Sequence, residues 1–449
     1  MKIDNKWLLE GFLEQKGASA GLYAGFVGVG QGGGKMVDAL ASIKNLNGTQ
    51  AYPCIVANSN LGDMQNLKNI PSQYKFGMKG YENGVGKDPE LGRTAFLENG
   101  EKIFDAIGSL MSKCQVIVVV VSLGGGTGTG AVNDLVAAIR EYLGIPVIVI
   151  ASLPRPNEVE SRNAYNALAE LTEKFTVNQY EDGEYRLLES LIILDNEKIF
   201  NEHIQDPEMP KLGLTWDYYS NYKLASIWHE WSVLTTLGSD YTVDVADLLN
   251  HILLGGGVIT FAKKKINLDE VTTTEDRIKE IVSTYRGRNV LANGFDYEND
   301  MRSLALVVVM PKARENELNQ DTLEMIRSEV KAQLPNVNFY PGSVTNNSDR
   351  HAIVYTMANM GGLPERARNL RHEAEELLQQ RLASERAASG FQMGDKLDAG
   401  AKKNPFAGGG VKKGNPFAAK KEASAGQEDA TVPKTQTKNP FNKFSNKFN

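Results

Sequence analysis

Residues 116–130 read VIVVVVSLGGGTGTG: six branched aliphatics in a row, then five glycines within seven positions. An unbroken β-branched run of this kind fits a strand buried on both faces. Glycine is entropically costly wherever backbone must be ordered, so the cluster needs a physical reason. The residues that follow, AVNDLVAAIREYLG, carry helical periodicity. The stretch therefore predicts a strand, a glycine turn and a helix start. A turn without side chains lets backbone N–H groups close on an anion such as phosphate, and the helix start adds free N–H groups and a positive dipole end. Thr127 and Thr129 would add hydroxyl donors. The competing reading is a tight strand-to-helix corner with no ligand.

Working outward, the same alternation recurs. LYAGFVGVG (22–30) predicts a strand that runs into a second glycine turn, Gly28 to Lys35, and then a helix. PCIVANSN (53–60), IPVIVIASLP (145–154) and LESLIILDNEK (188–198) predict further strands, separated by amphipathic segments. Near-continuous apolar strands between helices indicate an α/β fold with a parallel, Rossmann-type sheet covered on both faces. Residues 214–239 read as one long apolar helix, whose aromatics are most simply core. Four more strand-like runs and two helices over 240–362 indicate a smaller α+β domain with a mixed sheet. A long charged helix follows at 363–389. The expected organisation is an N-terminal helical extension (1–20), a nucleotide-binding domain (21–213), the central helix, the α+β domain, the charged helix and a tail (390–449).

The tail stands apart in composition. KNPF, GNPF and KNPF recur at 403, 414 and 438, with few large aliphatics, which predicts disorder. Residues 401–449 hold ten lysines and three acids, a net +7, so the remaining 400 carry −13. An acidic body with a basic tail suggests an anionic partner for the tail. Hydrophobic content of 41% and charged content of 23% fit a soluble globular chain. Neither a membrane span nor a signal-peptide apolar region is legible, and the two cysteines, Cys54 and Cys114, read as buried thiols in a reducing cytoplasm. The five histidines show no metal-ligand spacing.

Several site classes fail on spacing. Gly34-Lys35 lacks the upstream glycine and the following Ser or Thr of a Walker A loop. Gly28, Gly30 and Gly33 match a dinucleotide fingerprint, but the next strand ends Ala57-Asn58-Ser59-Asn60 without the acid that would bind ribose. An NAD-binding oxidoreductase is thus the alternative from another class. Gly17-Ala18-Ser19-Ala20-Gly21 precedes the first strand instead of following one, against a hydrolase nucleophile elbow.

GGGTGTG resembles the signature of the tubulin/FtsZ superfamily, and the resemblance continues in chain order. Gly28–Lys35 is similar to the family's first nucleotide loop. Ala57–Asn60 resembles its Ala-Asn-Thr-Asp loop, with Asn60 in place of Asp. Gly84–Arg93 resembles the loop that faces the γ-phosphate. Pro154, Glu158 and Arg162 keep the family's spacing, and Asn196 and Asn221 match its two guanine-reading asparagines. The base-stacking aromatic would fall at Asp217, so Tyr218 or Tyr222 would stack instead. The resemblance implies GTP/GDP with Mg²⁺ as cofactors. The nucleotide would be held by Gly30, Gln31, Gly32, Gly33, Lys35, Asn58, Asn60, Gly86, Gly124, Gly125, Gly126, Thr127, Gly128, Thr129, Glu158, Arg162, Asn196 and Asn221. Lys35 could equally be a solvated surface lysine.

Thr242–Asp247 (TVDVAD) resembles the family's synergy loop, with Thr242 in place of Asn. Asp244 and Asp247, three residues apart at a helix start, could polarise an attacking water; the plainer reading is helix capping. The family's arrangement implies a GTPase whose site is completed by the next subunit of a head-to-tail filament. The segment after the first loop, the Asp-Asn-Glu-Lys stretch and the basic tail resemble the TubZ branch, which implies plasmid or phage DNA segregation through a DNA-binding adaptor, with direct non-specific DNA contact as a further option and no membrane partner. An FtsZ-like cell-division role is the alternative within the family.

Overall fold

The computed structural model describes residues 20–45, 47–180, 183–206, 213–237, 241–346 and 350–387. The expected N-terminal extension, except Ala20, and the basic tail lie outside them.

The first half alternates as expected: β1 (Ala24–Val29), α1 (Gly30–Ala41), β2 (Cys54–Asn58), β3 (Lys75–Gly77), α2 (Pro89–Met111), β4 (Val116–Ser122), α3 (Thr127–Ala138), β5 (Val147–Leu153) and α4 (Glu158–Glu173). An antiparallel hairpin, β6 (Val177–Tyr180) and β7 (Gly183–Arg186), leads into β8 (Ser190–Asp195) and α5 (Asn196–Gln205). The central helix α6 runs from Trp216 to Leu234, shorter at both ends than the apolar run suggested. Then come β9 (Gly257–Asn267), α7 (Thr274–Val282), β10 (Met301–Pro311), α8 (Gln320–Gln333), β11 (Asn338–Asn346), β12 (His351–Met360) and α9 (Glu365–Ala387).

The strands form one sheet in the order β11-β10-β12-β9-β8-β5-β4-β1-β2-β3. From β3 to β9 every pairing is parallel; β12 is antiparallel to β9 and β10, which gives the mixed second half. The two halves join through a short parallel pairing, Ser190 to Ile192 against Gly257 to Ile259.

The period-2 alternation of strand side chains divides β4 between two cores. Val116, Val118 and Val120 pack on one face with α1 and α6, and Ile117, Val119 and Val121 on the other with α2 and α3; all six are fully buried. This is why the β4 run is apolar at every position, where a one-sided strand would alternate. The cleft and its walls lie in the larger of two compact units, which runs to Leu378; of the smaller, 379–439, the described residues are 379–387, the end of α9.

Candidate nucleotide cleft

In a parallel sheet all strands end on one edge, so Gly30, Asn58, the turn after β4, Pro154 and Asn196 gather there. A cleft of about 480 Å³ opens among them, lined by Gln31, Gly32, Lys35, Ser122, Ser152, Asn196, Trp216, Asp217 and Asn221, among others. A smaller lobe of about 160 Å³ continues past Gln31, Lys35 and Asp217 to Asp63, Tyr218 and Tyr222. The first lies within the range usual for small-molecule sites.

The helix starts differ in their caps. α2, α4, α5, α7 and α8 each begin with a side-chain N-cap: Asp88, Asn157, Asp195, Thr273 and Asn319. α1, α3 and α6 have none, beginning at Val29, Gly126 and Thr215. The starts of α1 and α6 line the cleft, as does the capped start of α5 at Asn196, and α3 begins just after Ser122, which lines it too. Helix starts leave N–H groups unpaired, and a bound anion can take the place of a cap.

The glycines of 124–130 divide between two duties. A Cβ on Gly130 would lie 2.0 Å from Pro89 O, on Gly126 2.5 Å from Val85 Cγ2, and on Gly128 2.7 Å from Val29 O. On Gly124 it would meet Glu160 and Pro154 at 2.9 Å. Gly125 alone of the five has no atom within 4 Å of that position. The cluster thus has a packing reason beside the expected phosphate cradle: Gly126, Gly128 and Gly130 let backbones approach one another, Gly124 makes room for the Glu160 and Pro154 side chains, and Gly125 faces open space. In the first turn, Gly33 is likewise required by packing, its Cβ position lying 2.2 Å from Val120 O. Gly30 adopts φ +75°, which favours glycine, and brings α1 against Gly128.

The threonine hydroxyls are partly committed. Thr129 donates to Ser122 O (3.4 Å), and Thr127 shares a 2.7 Å hydrogen bond with Ser59. Lys35 is neither free nor simply solvated: its Nζ lies 3.3 Å from Asp217 Oδ2. Burial raises the Asp217 pKa, but the Thr215 hydroxyl and Lys35 outweigh it and hold the carboxyl below its ordinary value. Tyr218 and Tyr222 line the small lobe beside Asn221, while Trp216 lines the larger one. Asn196 Oδ1 accepts a hydrogen bond from Ser220 (3.3 Å), which orients its amide.

Two assigned residues lie elsewhere. Glu158 and Arg162 line a separate groove with Tyr165, Arg371 and Glu375 of α9. The carboxylate that meets Gly124 is Glu160, which also pairs with Lys87 Nζ at 2.5 Å. Two residues along a helix turn by about 200°, so the seating of α4 on the sheet decides which glutamate faces the turn. Asn163, buried below, donates to Lys87 O (2.9 Å) and Gly124 O (3.4 Å) and ties the two loops together. Gly86 has φ +60° with open space beside it, and Lys87, at φ 65°, is the one non-glycine with positive φ among the described residues.

Asp63 was missed. It accepts from Gln31 Nε2 (2.9 Å) and Asn58 Nδ2 (3.3 Å), and its N–H donates to Asn60 Oδ1 (3.3 Å). Asn60 thus caps a short helix, Leu61–Gln65, and the acid of this loop stands three residues later than expected. Among the described residues no group of three or more His, Cys, Asp or Glu could hold a metal ion. Asp63 is one of three carboxylates, with Asp38 and Asp217, that line the small lobe.

The second acidic element lies at the other edge of the sheet. β9 runs parallel to β8, so the segment entering β9 is at the edge where β8 begins; Ser190 Oγ donates to Leu253 O there. Asp244 caps the short helix Val245–Asp247 by accepting the Asp247 N–H at 2.8 Å, so the capping reading holds for Asp244. Asp247 is half-buried near Tyr340, whose ring stacks on His251 at 5.2 Å. Burial, and secondly the Asp247 charge, raise the Tyr340 pKa. Helix α6 spans the two edges. Its first turns line the cleft, and its last turn receives the Gly21 N–H (2.9 Å) and the Leu22 N–H (3.1 Å) on Ser232 where the chain enters β1. Nineteen residues at 1.5 Å each make about 28 Å.

Known proteins match this architecture. Residues 24–202 match the tubulin/FtsZ family GTPase domain, and 230–371 match the C-terminal domain of TubZ-like tubulin/FtsZ-like proteins. The chain is 26% identical over 331 residues to the tubulin-like protein TubZ of Bacillus cereus, covering 71% of this chain and 73% of that one. It is 31% identical to the cell division protein FtsZ of Pseudomonas aeruginosa over 183 residues, 38% of this chain and 39% of that one. Among solved structures, a GTPγS-form protofilament of Bacillus thuringiensis serovar israelensis TubZ superposes with TM-score 0.71 at 22% identity, covering 83% of this chain and 96% of that one. A two-stranded TubZ-Bt filament gives 0.72 at 22% identity, with 88% and 99% covered. The chain belongs to the tubulin/FtsZ family, with that family's GTPase domain followed by a TubZ-like C-terminal domain.

Proposed function

We propose that the protein is a filament-forming GTPase of the TubZ type that hydrolyses GTP between subunits. The observation that carries this reading is the separation of its two halves. The cleft, with its uncapped helix starts, lies at one edge of the sheet, and Asp247 lies at the other, about one α6 length away (about 28 Å). One subunit brings no carboxylate from the second edge to its own cleft. A head-to-tail neighbour would, and such a heterologous contact continues into a filament instead of closing.

In this reading the N–H groups of α1 and α3, Gly125, Gly86 and Lys35 hold the phosphates. Asn196 and Asn221 read guanine, with Trp216 or a tyrosine of the small lobe beside the base. Asp244 is occupied as a cap, which leaves Asp247 of the neighbouring subunit to polarise the attacking water. A Mg²⁺ accompanying the nucleotide would be held on the protein side by Asp63 and would offset charge developing during transfer. GTP joins the contact, and loss of the γ-phosphate weakens it. The match to TubZ supports a role in segregating plasmid or phage DNA in the cytoplasm, with the +7 tail engaging a DNA-bound adaptor or DNA phosphate itself.

The test is GTP hydrolysis against protein concentration, with sedimentation in parallel. Activity is expected only above a threshold that coincides with pelleting. A rate strictly linear in protein from the lowest concentration would refute the shared site. Removing residues 402–449 is expected to leave hydrolysis intact and abolish adaptor or DNA association; undiminished association would refute the role of the tail.

A further inference from the structure

The C-terminal helix reaches the base-reading corner of the cleft through one side chain. Arg366, in the first turn of α9, places Nη1 2.6 Å from Asp195 Oδ1 and Nη2 2.6 Å from Pro154 O. Its Nε and Nη2 also meet Glu373 at 3.1 Å, and Glu373 accepts from Ser161 of α4 at 2.6 Å. One guanidinium thus joins the ends of β5 and β8 to α4 and α9. The Arg366 and Asp195 side chains are 18% and 11% exposed, so the pair is weakly screened by solvent.

Asp195 is also the N-cap of α5. The same Oδ1 that meets Arg366 accepts the N–H groups of Glu197 (3.0 Å) and Lys198 (3.4 Å). The residue between, Asn196, lines the cleft and is oriented by Ser220. A carboxylate shared between a cap and a guanidinium is held more narrowly than one serving the cap alone. Removing the guanidinium leaves a largely buried carboxylate without its counter-charge, which turns toward water and carries the strand-to-helix corner with it. The turn after β4 meets this network at Gly124, where an added Cβ would lie 2.9 Å from Pro154, whereas Asn196 directly follows the Asp195 carboxylate that Arg366 holds.

We propose that Arg366 is a positioning residue for base recognition: through Asp195 it fixes the corner that presents Asn196, so that guanine selectivity depends on the docked C-terminal helix. This rests on the reading of the cleft as a guanine-nucleotide site. Because coupling is reciprocal, a partner that loosens the start of α9 would weaken guanine recognition, and a bound guanine base would hold that start in place.

The experiment is competition of GTP and of ATP against a fluorescent, non-hydrolysable GTP analogue on the full-length protein, below the assembly threshold. The wild-type chain is expected to favour GTP; absence of that preference, seen before any substitution, defeats the guanine reading and this inference with it. Arg366→Met is expected to lower the GTP:ATP affinity ratio about tenfold, almost entirely through weaker GTP binding. Asp195→Asn keeps a good cap and decides the matter if Arg366→Met does not fold; its ratio should fall in the same direction. Glu373→Gln, which leaves the Asp195 contact in place, should stay within about twofold of wild type. Equal losses for GTP and ATP in Arg366→Met, an unchanged ratio in Asp195→Asn, or a Glu373→Gln loss as large as that of Arg366→Met would overturn the proposal.

Discussion

The cleft edge and the carboxylate edge of the sheet are built from different materials. At the cleft much of the geometry comes from backbone: glycines that let strands and helices touch, and the uncapped starts of α1, α3 and α6 beside the capped start of α5. At the other edge it comes from side chains, the exposed Asp244 and the half-buried Asp247 on a short turn. The difference predicts how each responds to substitution. Backbone geometry at the packed glycines cannot be altered without straining the fold, whereas Asp247, whose side chain makes no cap hydrogen bond, can lose its carboxylate with the fold intact. Binding and hydrolysis should therefore separate genetically, and they should do so by location.

The largest expected effects concern the glycines at the cleft edge. Gly33→Ala and Gly130→Ala place a methyl 2.2 and 2.0 Å from carbonyl oxygens of neighbouring elements. Backbone cannot yield as a flexible side chain can, so each should destabilise by about 3 kcal/mol or more, read as a drop in denaturant midpoint. Gly125→Ala meets no atom within 4 Å and should leave that midpoint unchanged. If its N–H faces phosphate, crowding it should weaken GTP binding by about tenfold to a hundredfold, the value of one hydrogen bond to a charged group. A Gly125→Ala variant that binds GTP normally would return this glycine to a purely structural role.

At the opposite edge, Asp247→Ala should reduce turnover by about 10²- to 10⁴-fold while GTP affinity and pelleting with GTP persist. Loss of GTP affinity in the isolated subunit would break the comparison, because nothing at this edge should reach that subunit's own cleft.

The connecting helix offers a pH-dependent test. His229 on α6 is 8% exposed, and its Nδ1 lies 3.0 Å from Tyr52 Oη. Burial pushes its pKa down from 6.5 to about 4. Below pH 6.5 the unfolded chain takes up a proton that the folded chain refuses, so the stability due to neutral His229 is present above pH 6.5 and is lost as pH falls toward 4. The slope should cost about 1 kcal/mol by pH 5.5. His229→Gln should flatten it; an unchanged slope would mean that other groups set the acid limit.

How far the sequence revealed this arrangement depends on the range of each interaction. The β4 strand, its glycine turn and the following helix are local, so 116–130 alone gave them. The Asp244/Asp247 spacing is local too. Asp63 was illegible because its role arises from Gln31 and Asn58, and Gln31 lies 32 residues away on another element. Glu160 was passed over for Glu158 because the rotation of α4 is set by packing on the sheet, which spacing does not encode. The division of the glycines into packing and open positions required the neighbouring backbones at Val29, Pro89 and Val120. Arg366 was invisible for the same reason: its partners Asp195 and Pro154 are 171 and 212 residues away.

The smallest effect concerns Lys35, where two readings of one residue make opposite predictions. The Lys35–Asp217 pair is 44% and 35% exposed, so solvent screens it and its worth to stability is under about 1 kcal/mol. Its importance would lie in the cleft. If Lys35 serves phosphate, Asp217 competes for it and also repels the nucleotide. Asp217→Asn should then raise GTP affinity a few-fold, Lys35→Met should lower it a few-fold, and both effects should shrink as salt rises. If Lys35 is only a surface partner of Asp217, either substitution breaks the same contact and the two variants should move together. Titrating both variants at two salt concentrations decides between these readings by the sign of the change, which screening can reduce but cannot reverse.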